Sequence, residues 1–482
     1  MLSIGGYNRG GLDDYVINPR GVNVNGLSFG GQGDGINTSR GTGFNLNHVL
    51  KNGLTLNTQY FYGQNRNDIV EQTNRQQFIE DTVLETISSR NEVAQTYDHR
   101  IGLGLKGNIG KRSRFEFKPV LSIADQDVKS ERGTGTSDNF KGKLNESINK
   151  IYNTGSSLTY DHSLLYFRSF SRKGQSFSLS NNVSIGHSTN DLFNTANTRF
   201  HEDGIITDSL DDQLRQRSSR NLSANVNANW TQPITKQLSL RFNYTLSLVR
   251  NTDDLNTFFK NAPDGKYDAL QPGLSSAISR THWRNSLSPS INYSGGNFNL
   301  SLSVNLQAID ISNEFGTTAA KLPQHYKYAF PGLNLRWKQV SLSYGVNVSP
   351  PSIGDIQVVP DNTNPLFVNY GNPLLEPAKT HAIRFSFAKN NTHKFVYFRS
   401  WLMINLRDDA ITRARTIRAD GVQETRPINM DGFYSISPSI DISKQYKFNK
   451  KKLAPFIQFR LIHCAFYPLH LLSVNVSNAW NI

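Results

Sequence analysis

Between residues 220 and 251 the chain places an apolar residue at nearly every second position: Leu222, Ala224, Val226, Ala228 and Trp230, then, after a short polar break, Leu238, Leu240, Phe242, Tyr244, Leu246 and Leu248. The positions between are Asn, Ser, Thr or Arg. Successive strand side chains point to opposite faces, so this spacing predicts a hairpin of two long strands with one apolar and one polar surface. The unit recurs, for example at Phe44 and Leu46 with Leu54, Leu56, Tyr60 and Tyr62, and at Leu333, Leu335 and Trp337 with Val340, Leu342, Tyr344, Val346 and Val348. A weaker copy runs from Tyr434, Ile436 and Ile440 towards Phe456. About eight hairpins, hence about sixteen strands, are expected in all.

The links fall into two classes. Within hairpins they are short and often basic (LKNG, GKRSR, SRKGQ, ITKQ, SGGN, KQ), whereas residues 63–98, 125–155, 188–218 and 250–280 are long, polar and expected to be loops. Strands of about 9 to 11 residues with short turns at one rim and long loops at the other describe a transmembrane β-barrel. Lipid cannot hydrogen-bond the backbone, so the strands must pair all round, with alternate residues facing hydrocarbon and a wet interior. The expected fold is therefore all-β, an antiparallel up-and-down transmembrane barrel. Arg241 is expected to point inward, because a one-residue slip would put it into lipid at a cost of about 2 to 4 kcal/mol. Trp230, Phe115, Phe117, Trp337 and Tyr293 suit an interfacial girdle, although β propensity alone also explains them. A soluble sandwich, propeller or solenoid shares the alternation, but its strands are shorter and its loops less unequal.

Composition agrees with one polar face per strand: hydrophobic residues are 37% and charged residues 19% of the 482, and mean hydropathy is −0.49. No apolar run reaches the 18 or so residues of a membrane helix. The best candidate, LIHCAFYPLHLL at 461–472, is short and contains Pro468. Met1 is followed by LSIGGYNRGG, which lacks the features of a secretory signal. The single Cys464 excludes an internal disulfide. The formal charge of +14 comes from basic residues scattered along the chain, apart from Lys450 to Lys452, and is read as solvated positions rather than a nucleic-acid surface.

Candidate chemistry is sparse. GLSFG at 26–30 fits the serine-hydrolase pattern, but the glycine-rich GGQGDGINTSRG after Ser28 cannot supply the helix that chemistry needs. Gly102, Gly104 and Gly107 match a dinucleotide fingerprint, yet lie inside a strand and read as close-approach positions. The glycines from 30 to 43 read as a flexible loop rather than an anion nest. His201, Glu202 and Asp203 are adjacent and read as solvated. No zinc spacing or carboxylate dyad is found, so no catalytic, cofactor or metal residue is expected, and ligand-binding residues stay unassigned.

Two stretches go further. Residues 35–63 and 350–387 resemble the barrel of TonB-dependent outer-membrane receptors, in the branch called outer-membrane β-barrel family proteins. GNPLLEPAKTH, Gly371 to His381, is similar to that family's G-N-P-x-L-x-P-E segment at Gly371, Asn372, Pro373, Leu375 and Pro377, with Ala378 in place of the acidic residue. Pro373 and Pro377 fix extended backbone before a strand, where a missing donor is harmless. The resemblance covers most of residues 1–460 and implies import of a scarce ligand through a 22-stranded barrel, gated by an N-terminal plug and powered by TonB. Neither a plug nor a signal is recognised ahead of the first strands, and the alternation dissolves after Arg460, so a fragment of such a barrel is expected. Residues 1–461 are read as a partial barrel and 462–482 as an atypical tail. Expected partners are outer-membrane lipid, a small ligand, TonB only through a plug, and no nucleic acid. A plugless passive pore or non-functional fragment, and after these a soluble β-rich binding protein, are the alternatives.

Overall fold

A computed structural model describes residues 35–444 apart from positions 52, 80, 203, 262–264, 317–319, 358, 392–395 and 419, and gives backbone strands within 15–29 and 446–479. Its long strands pair antiparallel in sequence order round one barrel, from Ile36–Val49 and Thr55–Ile79 to Phe456–Phe466 and Leu469–Ala479. The expected hairpin Ile205–Pro233 with Leu238–Lys260 is present, with Ala224 opposite Leu248 and Trp230 opposite Phe242. Arg241 stands opposite Thr231 and Ser290, on the polar face as expected. The strand pair that straddles residue 461 is described as backbone only, and Lys450 lies outside the described residues.

The greasy side of the alternation faces outward. In Phe298–Phe315, Leu302, Val304 and Leu306 are 49%, 45% and 44% exposed, while Ser303 and Asn305 between them are shielded. A water-soluble sheet does the reverse, so this belt is made for lipid. The shielded face carries amides bonded across strands: Ser286 Oγ donates to Asn305 Oδ1 at 2.7 Å, and Asn243 Nδ2 to Asn229 Oδ1 at 2.8 Å.

The expectation of long loops is corrected. Residues 63–98, 125–155, 188–218 and much of 250–280 continue the strands: Thr82–Ile109 has 28 residues, Ile205–Pro233 has 29, and Thr55–Ile79 pairs with its neighbour along its whole 25. At about 3.3 Å per residue these hairpins extend far past the 9 to 11 residues that cross a bilayer. Periodicity misread them because both faces are polar once the sheet stands in water.

The rejected motifs stay rejected. Ser28 lies within the short strand Leu27–Phe29 opposite Asn23. Gly102 and Gly107 lie in Thr82–Ile109, where added Cβ atoms would meet Gln59 Nε2 at 2.6 Å and Leu54 Cδ2 at 2.4 Å, which is the close approach expected. His201 faces the Glu146 carboxylate at 3.8 Å, and Asp203 lies outside the described residues.

Candidate functional site in the barrel lumen

Two segments leave the wall and fold into the lumen. The first, residues 350–377, holds the short helix Ile353–Ile356 and the strand Phe367–Asn369; the second is the hairpin Ala410–Ile417 and Gln423–Met430. Phe367–Asn369 pairs in parallel with Gln423–Thr425, so the two segments form one three-stranded sheet. The helix is closed by a capping box in which Ser352 Oγ accepts from Asp355 N and the Asp355 carboxylate accepts from Ser352 N.

The wall holds this insert through side chains that the strand alternation aims inward. Arg75 Nη2 donates to Gln423 Oε1 at 3.0 Å, and its guanidinium lies 5.9 Å from the Phe367 ring. Asn145 Nδ2 donates to Asp420 O at 2.8 Å, while Asn149 and Asn194 both donate to Thr363 O, at 2.9 and 3.1 Å. Arg215 pairs with Asp361 at 2.8 Å. Arg280 donates to Pro351 O; Arg284 donates within the wall, to Val348 O of the strand Val340–Ser349 at 2.8 Å. Burial works to raise the Asp361 carboxyl, but the Thr363 hydroxyl and the Arg215 guanidinium outweigh it and hold the pKa below the ordinary value.

The insert brings its own small core: Ile356, Leu366, Leu375 and Val422 are buried. The seam between insert and wall is different. It is polar, and several buried amide atoms on it, including Asn145 Oδ1, Asn194 Oδ1 and Gln423 Nε2, have no protein partner. The seam is therefore held by hydrogen bonds and ion pairs between insert and wall.

The family-like segment is the joint between insert and wall. Asn372 N donates to Asp355 O at 2.6 Å and its Nδ2 to Pro427 O at 3.1 Å, tying helix to hairpin. Glu376 N donates to Asn429 Oδ1 at 2.8 Å, and Asn429 Nδ2 donates back to Glu376 O at 3.1 Å. Gly371 is required sterically, since a Cβ there would meet Gln357 O at 2.0 Å. Pro373 and Pro377 precede the wall strand Ala378–Asn391, as expected. Sequence reasoning missed the anchors Arg75, Arg215 and Arg280, because they lie in stretches taken as loops. The signal was present: the inward odd-numbered series Asn225, Ser223 and Asn221 continues through Ser219 and Arg217 to Arg215.

Residues 168–461 match the model of the outer membrane protein beta-barrel family. Among solved structures the chain is similar to the copper transporter OprC, with a TM-score of 0.50 at 10% identity over 91% of this chain and 64% of that one. It is also similar to the ferripyoverdine receptor of the outer membrane of Pseudomonas aeruginosa, with a TM-score of 0.43 at 8% identity over 95% and 62%. The chain thus spans less than two thirds of either relative. A comparison with curated proteins gave no match. The family match takes in more than half of the chain, and the outward belt and polar lumen are what that family requires: the chain belongs to the outer membrane protein beta-barrel family and is a barrel of the Gram-negative outer membrane.

Proposed function

We propose that the chain is the barrel portion of a TonB-dependent receptor-type transporter, that it takes up a small solute across the outer membrane, and that the full barrel has 22 strands. The insert is the gate at the outer end of the path, and the Asn- and Ser-lined wall below it conducts the solute. The observation that carries this reading is the polar seam: an element meant to stay would be packed on apolar side chains, whereas this one is held to the wall by hydrogen bonds that water can replace. Coupling to TonB runs through a plug in such receptors and is proposed for the whole protein. We assign the chain no catalytic step.

Conductance in planar bilayers tests the gate. The full chain is expected to be closed in KCl at low voltage, and a variant with residues 411–429 replaced by a short Gly-Ser linker to show discrete steps. Large steady conductance from the unaltered chain would instead establish the passive pore. A freely soluble monomer on fractionation would overturn both. The division at residue 461 is likewise our proposal.

A further inference from the structure

The turns at the end opposite the insert lie side by side and bond to one another. Ser169 N donates to Arg112 O at 2.9 Å, Arg172 Nη2 to Ile234 O at 3.2 Å, Ser294 N to Gln237 O at 2.8 Å and Lys338 N to Asn297 O at 2.8 Å. Some of the cations that look scattered along the sequence are therefore gathered on one rim, where they are solvated as expected. Lys51, Lys111, Arg112, Arg172, Lys173 and Lys236 are all exposed there. The turns 50–54, 110–112, 170–175, 234–237, 296–297 and 338–339 contain no Asp or Glu. Glu116, on a strand at this end, is taken up by Lys118 and Arg114. The turns at the other end mix signs, as with Asp81 and Lys141.

A rim of like charge raises its own energy unless anions neutralise it. The neighbouring side chains say which anions. The Arg168 guanidinium lies 5.4 Å from the Phe170 ring and Lys338 Nζ 5.6 Å from the Trp337 ring, while Phe170 also meets Trp230 at 5.2 Å between centroids. Beyond these aromatics begins the exposed apolar belt that includes Ile291 and Leu302. Belt, aromatic and cation thus follow in the order hydrocarbon, interface and phosphate of a lipid leaflet. At this end the strands turn back just beyond the belt, whereas at the other they run far past it, and the short side of an outer-membrane barrel faces the periplasm.

We propose that this rim binds the phosphates of the periplasmic phospholipid leaflet and gathers anionic lipids round the barrel. The test places the full chain in mixed vesicles of phosphatidylcholine and phosphatidylglycerol and reads the lipid shell with spin-labelled lipids. The wild-type chain is expected to favour phosphatidylglycerol by roughly fivefold at low salt, with the preference fading as ionic strength rises. Lys111→Gln, Arg112→Gln, Lys173→Gln and Lys236→Gln together are expected to abolish it, and Arg112→Lys alone to keep it. Should the combined variant fail to insert, the salt titration of the wild-type chain decides, and a preference indifferent to salt overturns the proposal. Equal shells of the two lipids overturn it as well. So does capture of soluble polyglutamate without lipid preference, which would assign the rim to an acidic protein.

Discussion

The strand Phe298–Phe315 contains two environments end to end. In its first half the exposed residues are Leu302, Val304 and Leu306; in its second half Ile309 and Ile311 are buried at 0% and 1%, and Asp310 between them is exposed. Leu238–Lys260 does the same, with Phe242 and Tyr244 exposed near one end and Asp253, Leu255 and Thr257 buried near the other. The backbone does not change along either strand, but the solvent does. Where the outside is lipid, the apolar set faces out and the wall encloses a polar lumen; where the outside is water, apolar side chains turn inward and pack within the wall, as Ile309 and Ile311 do against Val348, Tyr326, Tyr328 and Phe330.

If the ends differ for that reason, they respond to different substitutions. The largest effect is expected from Leu375→Ala, which empties the insert's core at a cost of about 2 to 5 kcal/mol; urea midpoints should fall and the closed state should begin to conduct, while outer-membrane insertion is kept. Next is Leu302→Arg in the belt, expected to cost about 2 to 4 kcal/mol near the midplane. Ser303→Arg, one residue along and facing the lumen, should change stability little, so equal losses from the two would break the assignment of faces. Arg215→Ala leaves the Asp361 carboxylate with Thr363 but without its cation, and should loosen the insert by about 1.5 to 3 kcal/mol, seen as channel openings rather than loss of the barrel.

The smallest effect is that of pH. The folded Asp361 carboxyl has a depressed pKa, so its contribution is complete above the unfolded value of 3.8 and is lost as pH falls through the lower folded value. Conductance should therefore rise on acidification below about pH 4, and Asp361→Asn should remove that component. An unchanged acid response in the variant would detach the gate from this pair.

Legibility followed the solvent too. The hairpins 220–251 and 333–348 were plain in the sequence because membrane strands must alternate fully, and Arg241 lay on the face that alternation assigned to it. The segment from Gly371 to His381 was visible as a family feature and as the lead into a strand. Its second duty, holding helix 353–356 against hairpin 410–430 through Asn372 and Glu376, depends on partners more than fifty residues away in Pro427 and Asn429. The anchors Arg75, Arg215 and Arg280 were hidden because a strand polar on both faces has no apolar period to betray it.

The sequence by itself determined the strand period and the face given to lipid, since each is a local requirement of backbone pairing in hydrocarbon. Only the tertiary structure decided that the polar stretches prolong the wall, that residues 350–377 and 410–430 fill the lumen, and that cations from distant turns form one rim. The reason is physical. Those features are juxtapositions created by winding a meander into a barrel, and no single stretch of chain contains both sides of the contact.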